Sequence, residues 1–425
     1  MKAIYNIYFH SLAKIPGPRT WSASRLPFIR ALLKGTIIQD LQKLHQKYGP
    51  VLRIAPDEVT FAQPEAWNDI LQPQPGKQFL KDPTWWSAQP GMSLTILSAI
   101  QPEPHARIRK LFAPALSLRA LKDQEPIVNR YANLLVERLQ EYASKAPSGE
   151  AATIDIGPWF NFTTFDIIGD LAYGESFECL ENSRFHEWIK RVFDSVKGAT
   201  WVASTRFYPS VEYVLLKLVS PYLRRMQVAH FGYIAQKVYR RLNWETQRPD
   251  FMSHVIQGGV EKALPIDQIN STFVVLTNAG SETTATALSG TMHYLINHPD
   301  KLIIVVDEIR ERFQTADEIS LDALQQLPFL NAVLKEGLRL CPPIPWILPR
   351  RVPAGGSLVC GTWLPAGVGA WTCILPPNLL RNVPPLNLCV IIRYGYQFKH
   401  TPCIAIQTSF MPLHPLFPNG GCQTP

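Results

Sequence analysis

Residues 277–290 read T-N-A-G-S-E-T-T-A-T-A-L-S-G, and this stretch decides the fold of the chain. It lies within the run Ile266–Asn297, which contains no proline and is apolar enough to predict one long buried helix. A lone carboxylate, Glu282, stands near its middle among small and hydroxylated residues. We expect the hydroxyls of Thr283 and Thr284 to bond back to carbonyls one turn earlier. This pattern indicates either a polar notch for a flat ligand or plain close packing against another helix.

A second informative stretch, residues 327–351, reads L-P-F-L-N-A-V-L-K-E-G-L-R-L-C-P-P-I-P-W-I-L-P-R-R. Glu336 and Arg339 are three residues apart, so on a helix they share one face and can form an ion pair. A pair of this spacing is usually solvated and contributes only about 0.3 kcal/mol. Here it stands among leucines, and Pro342-Pro343 end the helix immediately afterwards.

Together, A-G-S-E-T-T, E-G-L-R and R-L-C-P-P resemble the motifs of the cytochrome P-450 (haem-thiolate monooxygenase) family. The sequence of residues 154–183 resembles that of fungal members which oxidise secondary metabolites, including trichothecene-type hydroxylases. The resemblance implies a mainly α-helical fold with a small β portion, the cytochrome P-450 fold, incomplete at its C-terminus. It also implies haem b, dioxygen, electrons from an NADPH-cytochrome reductase, and hydroxylation or epoxidation of an apolar small molecule.

The same resemblance implies roles for individual residues of the two stretches. Glu282 and Thr283 match the family's acid–alcohol pair, which handles protons during oxygen cleavage. Ala279 and Gly280 would leave room for a ligand above the haem ring. Glu336 and Arg339 match a structural pair that holds the helix supporting the haem.

A basic helical turn precedes both stretches. His105 and Arg109 stand one turn apart and could hold a carboxylate together, although such a turn is most often a solvated face. The resemblance assigns both residues to a haem propionate. It assigns Arg350 to another propionate contact, with Arg351 as the alternate.

Composition excludes one broad class of partner. The chain has 425 residues, of which 46% are hydrophobic, enough for one large domain or two. Its formal net charge is +8, but the positive excess is concentrated near the C-terminus. After Glu336 there are six Lys or Arg and no Asp or Glu, so the preceding part is nearly neutral. We therefore expect no nucleic-acid partner.

The seven cysteines form no C-x-x-C pair, and their odd number is typical of reduced thiols in an intracellular protein. The family's thiolate lies in a loop of the form F-x-x-G-x-R-x-C-x-G, and no cysteine of this chain has that frame. The nearest match, residues 417–422, lacks the Arg and places Cys422 two positions early. The sequence therefore predicts that the axial cysteine is absent and that the chain is truncated and catalytically inactive.

Shorter patterns predict further elements. We expect a helix from Thr36 to Tyr48, paired strands at 51–54 and 58–62, and a loop rich in Trp, Pro and Gly at 75–100. A core helix ends at Gly174. The aromatic segment 198–228 is either a membrane-dipping lid or an ordinary lid over an apolar pocket. Two glycosylation sequons, 161–163 and 270–272, fall in predicted buried helices and are read as structural.

These patterns divide the chain into three parts. Residues 1–35 are a leader with a Pro-Gly-Pro hinge, which in the family follows a membrane anchor that is lacking here. The resemblance implies the endoplasmic reticulum membrane, and the missing anchor leaves a cytoplasmic or peripherally membrane-bound chain as the alternative. Residues 36–367 are a partial catalytic domain. Residues 368–425 hold nine prolines and no acid, which is typical of a disordered tail read out of frame or through an intron.

Two alternatives to an inactive chain remain open. The protein could be a non-catalytic binder of apolar ligands or of a partner protein. It could also be an active monooxygenase whose true C-terminus differs from this one. The change of composition at Gly367 fits this alternative and the truncated, inactive chain equally well.

Overall fold

The computed structural model describes residues 1–72, 76–88, 92–145, 152–218, 221–244, 248–257, 264–345 and 349–372. Seventeen α-helices and seven strands occur in these ranges. The helices are α1 Lys2–Tyr8, α2 Arg19–Ala23, α3 Leu26–Lys34, α4 Ile37–Tyr48, α5 Glu65–Leu71, α6 Pro83–Trp86, α7 Pro102–Phe112, α8 Leu118–Ser144, α9 Ile156–Tyr173, α10 Glu187–Thr205, α11 Pro209–Leu218, α12 Pro221–Leu242, α13 Phe251–Gln257, α14 Ile266–Asn297, α15 Pro299–Arg312, α16 Leu321–Gln325 and α17 Pro328–Leu340. The mainly α-helical fold with a small β portion is confirmed.

The β portion consists of one five-stranded sheet and one hairpin. The strands are β1 Val51–Ala55, β2 Glu58–Phe61, β3 Leu80–Lys81, β4 Arg350–Arg351, β5 Ser357–Val359, β6 Thr362–Leu364 and β7 Gly369–Thr372. The sheet has the order β1-β2-β7-β4-β3, and β5 pairs with β6 alone. Strand β7 runs parallel to β2 and antiparallel to β4, so it occupies the centre of the sheet.

Helices α9 and α14 form the centre of the largest hydrophobic core. Helix α9 begins at a capped end, where the Asp155 side chain accepts a hydrogen bond from the Gly157 backbone N–H, and it stops at Gly174. Gly174 has a φ of 75°, the left-handed conformation that favours glycine at a helix C-terminus. The Tyr173 hydroxyl of α9 hydrogen-bonds to the Thr277 hydroxyl of α14, so the two helices are joined in the buried interior.

Most predicted elements are present. Helix α4, the hairpin of β1 and β2, and the core helix ending at Gly174 agree with the sequence analysis. The long helix α14 has the predicted bounds, although part of its length, including Ala279, is exposed. The two sequons lie in α9 and α14, and Asn161 is buried.

The structure adds detail to three of the predicted segments. The leader 1–35 packs on the main domain, because Leu12 and Phe28 are fully buried and the Arg53 backbone N–H donates to Pro16 O at 2.8 Å. The loop 75–100 contains the short strand β3 and the helix α6. The fold does not end at Gly367, because β7 continues the sheet to Thr372.

Residues 373–425, and with them the predicted disorder of the tail, lie outside the described residues. Among the described helices, none is both long and apolar enough to cross a membrane.

Glycines allow α14 and α17 to pack closely. A Cβ placed on Gly337 of α17 would lie 2.2 Å from Thr291 Oγ1 of α14. A Cβ placed on Gly290 of α14 would lie 2.7 Å from the side chain of Cys341, directly after α17. Such distances are too short for any real Cβ contact, so the separation of the two helices depends on these glycines.

We predict that Gly337→Ala lowers the free energy of unfolding by about 1–3 kcal/mol, because the new methyl group overpacks the contact with Thr291. This loss exceeds the gain of about 1 kcal/mol that alanine brings to a helix interior. Gly232→Ala in α12 is the matched control, because nothing lies within 4 Å of its Cβ position, and it should stabilise slightly. Urea unfolding of both variants checks the prediction, and an equal gain in both would contradict it.

Candidate active site

The middle of α14 has the hydrogen bonds that the sequence predicts. The Thr283 hydroxyl donates to Ala279 O at 2.6 Å, and the Thr284 hydroxyl donates to Gly280 O at 3.0 Å. The Ser281 hydroxyl likewise donates to the carbonyl four residues earlier, Thr277 O, at 2.8 Å. The four-residue spacing of these bonds places hydroxyls along the helix without removing the backbone ladder.

The two small residues of the stretch face different surroundings. A Cβ placed on Gly280 would lie 2.9 Å from Ile168 Cδ1 of α9, so this glycine is explained by close helix packing. Close helix packing is one of the two alternatives that the sequence left open for this glycine; that Gly280 also makes room for a ligand stays a prediction. Ala279, by contrast, is exposed, and so it can border a ligand site.

Glu282 is a carboxyl group without a counter-ion. Its Oε1 is buried and has no hydrogen-bond partner among the described residues. Burial disfavours the charged form and raises the pKa of Glu282 from 4.5 to about 7. One turn earlier, Asn278 Oδ1 is also buried and unpartnered within the described part of the chain. A carboxyl group with a pKa near neutrality can both hold and release a proton under physiological conditions.

A cluster of basic side chains surrounds a cavity of about 160 Å³. His105 and Arg109 reach it from α7, and Arg350 reaches it from β4. The structure therefore brings together three residues that the sequence assigned to carboxylate binding from two distant segments. We call these three residues and Lys81, which also borders the cavity, the basic cluster.

Lys81 is the member of the basic cluster that the sequence analysis missed. Its Cα pairs with that of Arg350 across the antiparallel strands β3 and β4, so both side chains lie on the same face of the sheet. The sequence around Lys81 shows no motif that marks it. The register of two short strands from segments about 270 residues apart creates the pairing, and only the folded chain shows that register.

The cations of the basic cluster have no acidic partner in the part of the chain that the structure describes. Within the described residues, no ion pair involves Lys81, His105, Arg109 or Arg350, and Arg350 Nε is buried without a hydrogen-bond partner. Burial lowers the pKa of His105, and the neighbouring cations lower it further. Burial also lowers the pKa of Arg350. Lys81 is buried, His105 and Arg350 are half-buried and Arg109 is exposed. Because none of the four pairs with an acid among the described residues, the cluster suits an anionic ligand.

The structure also distinguishes Arg350 from Arg351. Side chains alternate across a strand, so Arg351 points to the face of the sheet opposite that of Arg350. There Arg351 Nε lies 2.8 Å from Asp82 Oδ2, and its NH1 group lies 3.1 Å from Asp57 Oδ2. Arg351 is thus occupied by two carboxylates, whereas Arg350 is free to bind a ligand.

Helix packing connects the basic cluster to α14. Phe112, at the end of α7, contacts Phe273 of α14 with ring centroids 5.6 Å apart. Phe273 precedes Ala279 by six residues, less than two helical turns. His105 and Arg109 are therefore held on a helix that packs directly against the helix carrying Glu282 and Thr283.

Glu336 and Arg339 form the predicted ion pair on α17. Arg339 Nε donates to Glu336 Oε2 at 2.6 Å, and the NH2 group of Arg339 donates a second hydrogen bond to Glu336 Oε1. The hydrogen bond from Arg339 lowers the pKa of Glu336. The two side chains retain exposed fractions of 50% and 44%, so the pair itself contributes little free energy.

The described cysteines lie away from the basic cluster. Cys179 Sγ is buried near Phe177 O, Cys341 packs against Gly290, and the backbone N–H of Cys360 is held by Asp69. The other four cysteines are outside the described residues. The basic cluster and its orphaned Arg350 Nε therefore fit the carboxylates of haem, and none of the three described thiols lines the cavity beside them.

Comparison with known proteins identifies the same family that the sequence motifs resemble, cytochrome P-450. The pattern that defines the cytochrome P-450 family matches residues 16–373. The chain is 37% identical over 372 residues to cytochrome P-450 monooxygenase efuB of Hormonema carpetanum, covering 86% of this chain and 72% of that protein. It is 38% identical over 384 residues to cytochrome P-450 monooxygenase lcsI of Purpureocillium lilacinum, covering 89% and 73%.

A third relative is averantin hydroxylase of Dothistroma septosporum, which is 38% identical over 370 residues, covering 85% of this chain and 67% of the relative. All three relatives come from fungi, and the matched region contains both motif stretches and the basic cluster. The chain therefore belongs to the cytochrome P-450 family.

Proposed function

We propose that this protein binds haem through the basic cluster and uses Glu282 and Thr283 in the oxidation of an apolar organic molecule, as a monooxygenase of fungal secondary metabolism. The observation that carries the proposal is the meeting of His105, Arg109 and Arg350 around one cavity, with no ion-pair partner for any of them in the described part of the chain. Haem, when bound, supplies the iron that activates dioxygen.

In this proposal the basic cluster binds and orients the cofactor. The cations of the cluster would neutralise the two propionates, and Arg350 Nε would gain the hydrogen-bond acceptor that it lacks in the protein alone. The alternative for His105 and Arg109, a solvated face of α7, leaves unexplained the half-buried Arg350, whose Nε has no hydrogen-bond partner among the described residues.

Glu282 would hold the proton that the reaction consumes. Its carboxyl group is buried, unpartnered and poised near neutrality, which are the properties of a general acid. Thr283 stands next to it in the helix, and its hydroxyl donates to Ala279 O. The Thr283 oxygen retains lone pairs that can accept a hydrogen bond from a proton donor, so this hydroxyl is suited to relay a proton beside the exposed Ala279.

Substrate and electron donor are inferred from the family. One relative is named for the hydroxylation of averantin, and we infer a substrate of comparable apolar character for this chain. The proposed electron donor is an NADPH-cytochrome reductase. Glu336 and Arg339 are proposed to act as a structural pair on α17, since they hydrogen-bond to each other and lie on a helix packed closely against α14.

We also propose that the protein contacts a membrane surface, with the endoplasmic reticulum as its location. Helix α1 and the residue that follows it expose four large apolar side chains, and α11 exposes four more. They are Ile4, Tyr5, Tyr8 and Phe9, and Val211, Tyr213, Val214 and Leu218. The exposed apolar side chains of α11 support the membrane-dipping interpretation of segment 198–228 over the alternative of an ordinary lid above an apolar pocket.

A second candidate rests on the cysteine pattern. None of the seven cysteines stands in the thiolate-loop frame of the family, so we propose that this chain by itself does not form thiolate-ligated haem and is catalytically inactive. In that case the same apolar interior would serve to bind a ligand or a partner without oxidising it.

We predict that Arg109→Met weakens haem binding by about tenfold or more, because it removes a charge-assisted hydrogen-bond donor from the carboxylate site. Arg107→Met is the matched control, since Arg107 lies on the same helix, is exposed and does not line the cavity. Titration of the purified chain with haemin, followed by Soret absorbance, measures both affinities. Equal affinities for the two variants would contradict the proposed binding of haem by the basic cluster.

We predict that Glu282→Gln stabilises the apo protein at pH 8 by up to about 3 kcal/mol and has little effect at pH 4. Burial raises the pKa of Glu282 to about 7 in the folded chain, so the charged carboxylate is less favourable there than in the unfolded chain. The unaltered protein therefore loses stability as the pH rises from 4.5 to about 7, whereas a glutamine does not titrate. Below this range Glu282 is neutral as well, so the two proteins differ little. Urea unfolding at the two pH values measures the difference.

Glu336→Gln is the control with the opposite sign, because Arg339 lowers the pKa of Glu336 and so favours its charged form. This variant should lose a little stability at pH 8. A Glu282→Gln effect that does not change with pH would exclude Glu282 as the group that titrates near neutrality.

We predict that the haem-loaded chain, reduced and exposed to carbon monoxide, lacks the red-shifted Soret band of thiolate-ligated haem. Haem content is measured first on the same sample, so that failure to load haem is not mistaken for altered ligation. Appearance of the thiolate band would show that a cysteine of this chain binds the iron, and the proposal of inactivity would then be abandoned.

A further inference from the structure

A large groove, separate from the candidate active site, lies against α3. Its volume is about 1150 Å³, slightly above the range of about 300–1,000 Å³ that is usual for small-molecule pockets. Helices α2, α3, α4 and α10 all contribute apolar side chains to its lining. These side chains are Trp21, Leu26, Ile29, Leu33, Leu44 and Trp201. We call it the α3 groove, because α3 contributes most of its lining.

Helix α3 carries apolar side chains on two faces. Phe28 and Leu32 point into the interior, where both are buried. Leu26, Ile29 and Leu33 repeat the same helical spacing but line the groove instead. One buried face is enough to hold a surface helix on its domain, so the second apolar stripe is not explained by the fold. The described residues leave this stripe partly uncovered, and Leu26 is 62% exposed.

Basic side chains border the same groove. Arg30 and Lys34 stand one turn apart on α3 beside the apolar stripe, and Lys43 joins them from α4. All three are exposed, and none forms an ion pair within the described residues. The acid in the lining, Asp40, accepts a hydrogen bond from the Thr36 hydroxyl at 2.8 Å. The groove therefore combines an apolar surface with three cations against one carboxylate.

The elements that line the groove adjoin both helices that we propose to contact a membrane. Helix α1 packs on α2, which carries Trp21, and α11 packs on α10, which carries Trp201. Arg206 Nε, just after α10, lies 3.5 Å from Glu212 Oε1 of α11 and so links these two helices. Trp201 is 61% exposed, and tryptophan side chains favour the boundary between a membrane and water. This continuity favours a membrane lipid over a soluble molecule as the occupant of the groove.

We propose that the α3 groove binds an anionic phospholipid of the membrane, with the head group at Arg30, Lys34 and Lys43 and an acyl chain along Leu33 and Trp201. The cations attract the negative head group, and the apolar side chains replace water around the chain. A small soluble anion would leave the apolar stripe in water, and a zwitterionic lipid has no net charge to match the cations. The inference rests on the proposed membrane contact, to which it adds a lipid class and a site.

Vesicle flotation of the whole chain tests the proposal. Vesicles of phosphatidylcholine alone are compared with vesicles that also contain phosphatidylserine. We expect binding to the anionic vesicles to be at least about tenfold tighter, because each nearby Lys or Arg adds attraction to an anionic surface. High salt should remove most of this difference, since it screens exposed charges.

Two double variants separate the groove from the net charge of the protein. Arg30→Gln with Lys34→Gln should bind anionic vesicles about tenfold more weakly and neutral vesicles as before. Arg310→Gln with Lys335→Gln is the matched control, because it removes the same charges from exposed positions on α15 and α17 that do not line the groove. Equal losses in both would mean that net charge alone attracts the chain, and the site would be overturned.

A phosphatidylserine with a photoreactive group in its acyl chain locates the contact. After illumination of the vesicle-bound chain, we expect cross-links within residues 26–44 and at Trp201. Trp201→Ser should remove most of the cross-links to residues 26–44, whereas Trp67→Ser, which changes a tryptophan of similar exposure on α5, should not. Cross-links spread evenly over the surface of the protein would overturn the site.

The outcomes distinguish this inference from the proposed membrane contact. If neutral and anionic vesicles bind the chain equally, the membrane contact stands and the lipid site fails; if neither binds, both fail. Gel filtration without vesicles tests a second copy as the occupant, and a dimer that Trp201→Ser dissociates would overturn the proposal. Circular dichroism of each variant excludes misfolding, and Lys43→Gln repeats the charge test if the Arg30 and Lys34 variant does not fold.

Discussion

The close contact between α14 and α9 is the constraint on which the rest of the structure depends. Gly280 lies against Ile168, and the hydroxyls of Tyr173 and Thr277 join the two helices in the buried core. These contacts fix the rotation of α14 about its axis, because a side chain at position 280 would force the helices apart. The directions of Ala279, Glu282 and Thr283 follow from that rotation, since they occupy fixed positions around the same helix.

Charges in the protein fall into two groups with different consequences. Arg351 is paired with Asp57 and Asp82, so its role is to hold the sheet together. The basic cluster lies on the opposite face of the sheet and has no ion-pair partner among the described residues. Its most buried member, Lys81, carries a charge that is costly unless paired, and this favours an anionic ligand at the cluster. The alternation of side chains along β4 separates the two groups by a single residue.

Much of the architecture could be predicted from particular residues. Proline-free apolar periodicity predicted α14 to its ends, Gly174 predicted the end of α9, and the spacing of Glu336 and Arg339 predicted their ion pair. Errors occurred where short elements depend on distant partners. Strands β3 and β7 have two and four residues, too few to show any periodicity. Strand β3 pairs with β4, and β7 pairs with both β2 and β4.

The sequence by itself determined the family, the helix that carries Glu282 and Thr283, and most members of the carboxylate site. These are properties of local spacing and residue type, which one chain segment can express alone. Only the tertiary structure decided that Gly280 serves helix packing, that Arg350 and not Arg351 borders the cavity, and that Lys81 joins them. The physical reason is that burial and loss of counter-ions arise when segments far apart in the chain meet, and no local pattern records which charges will remain unpaired.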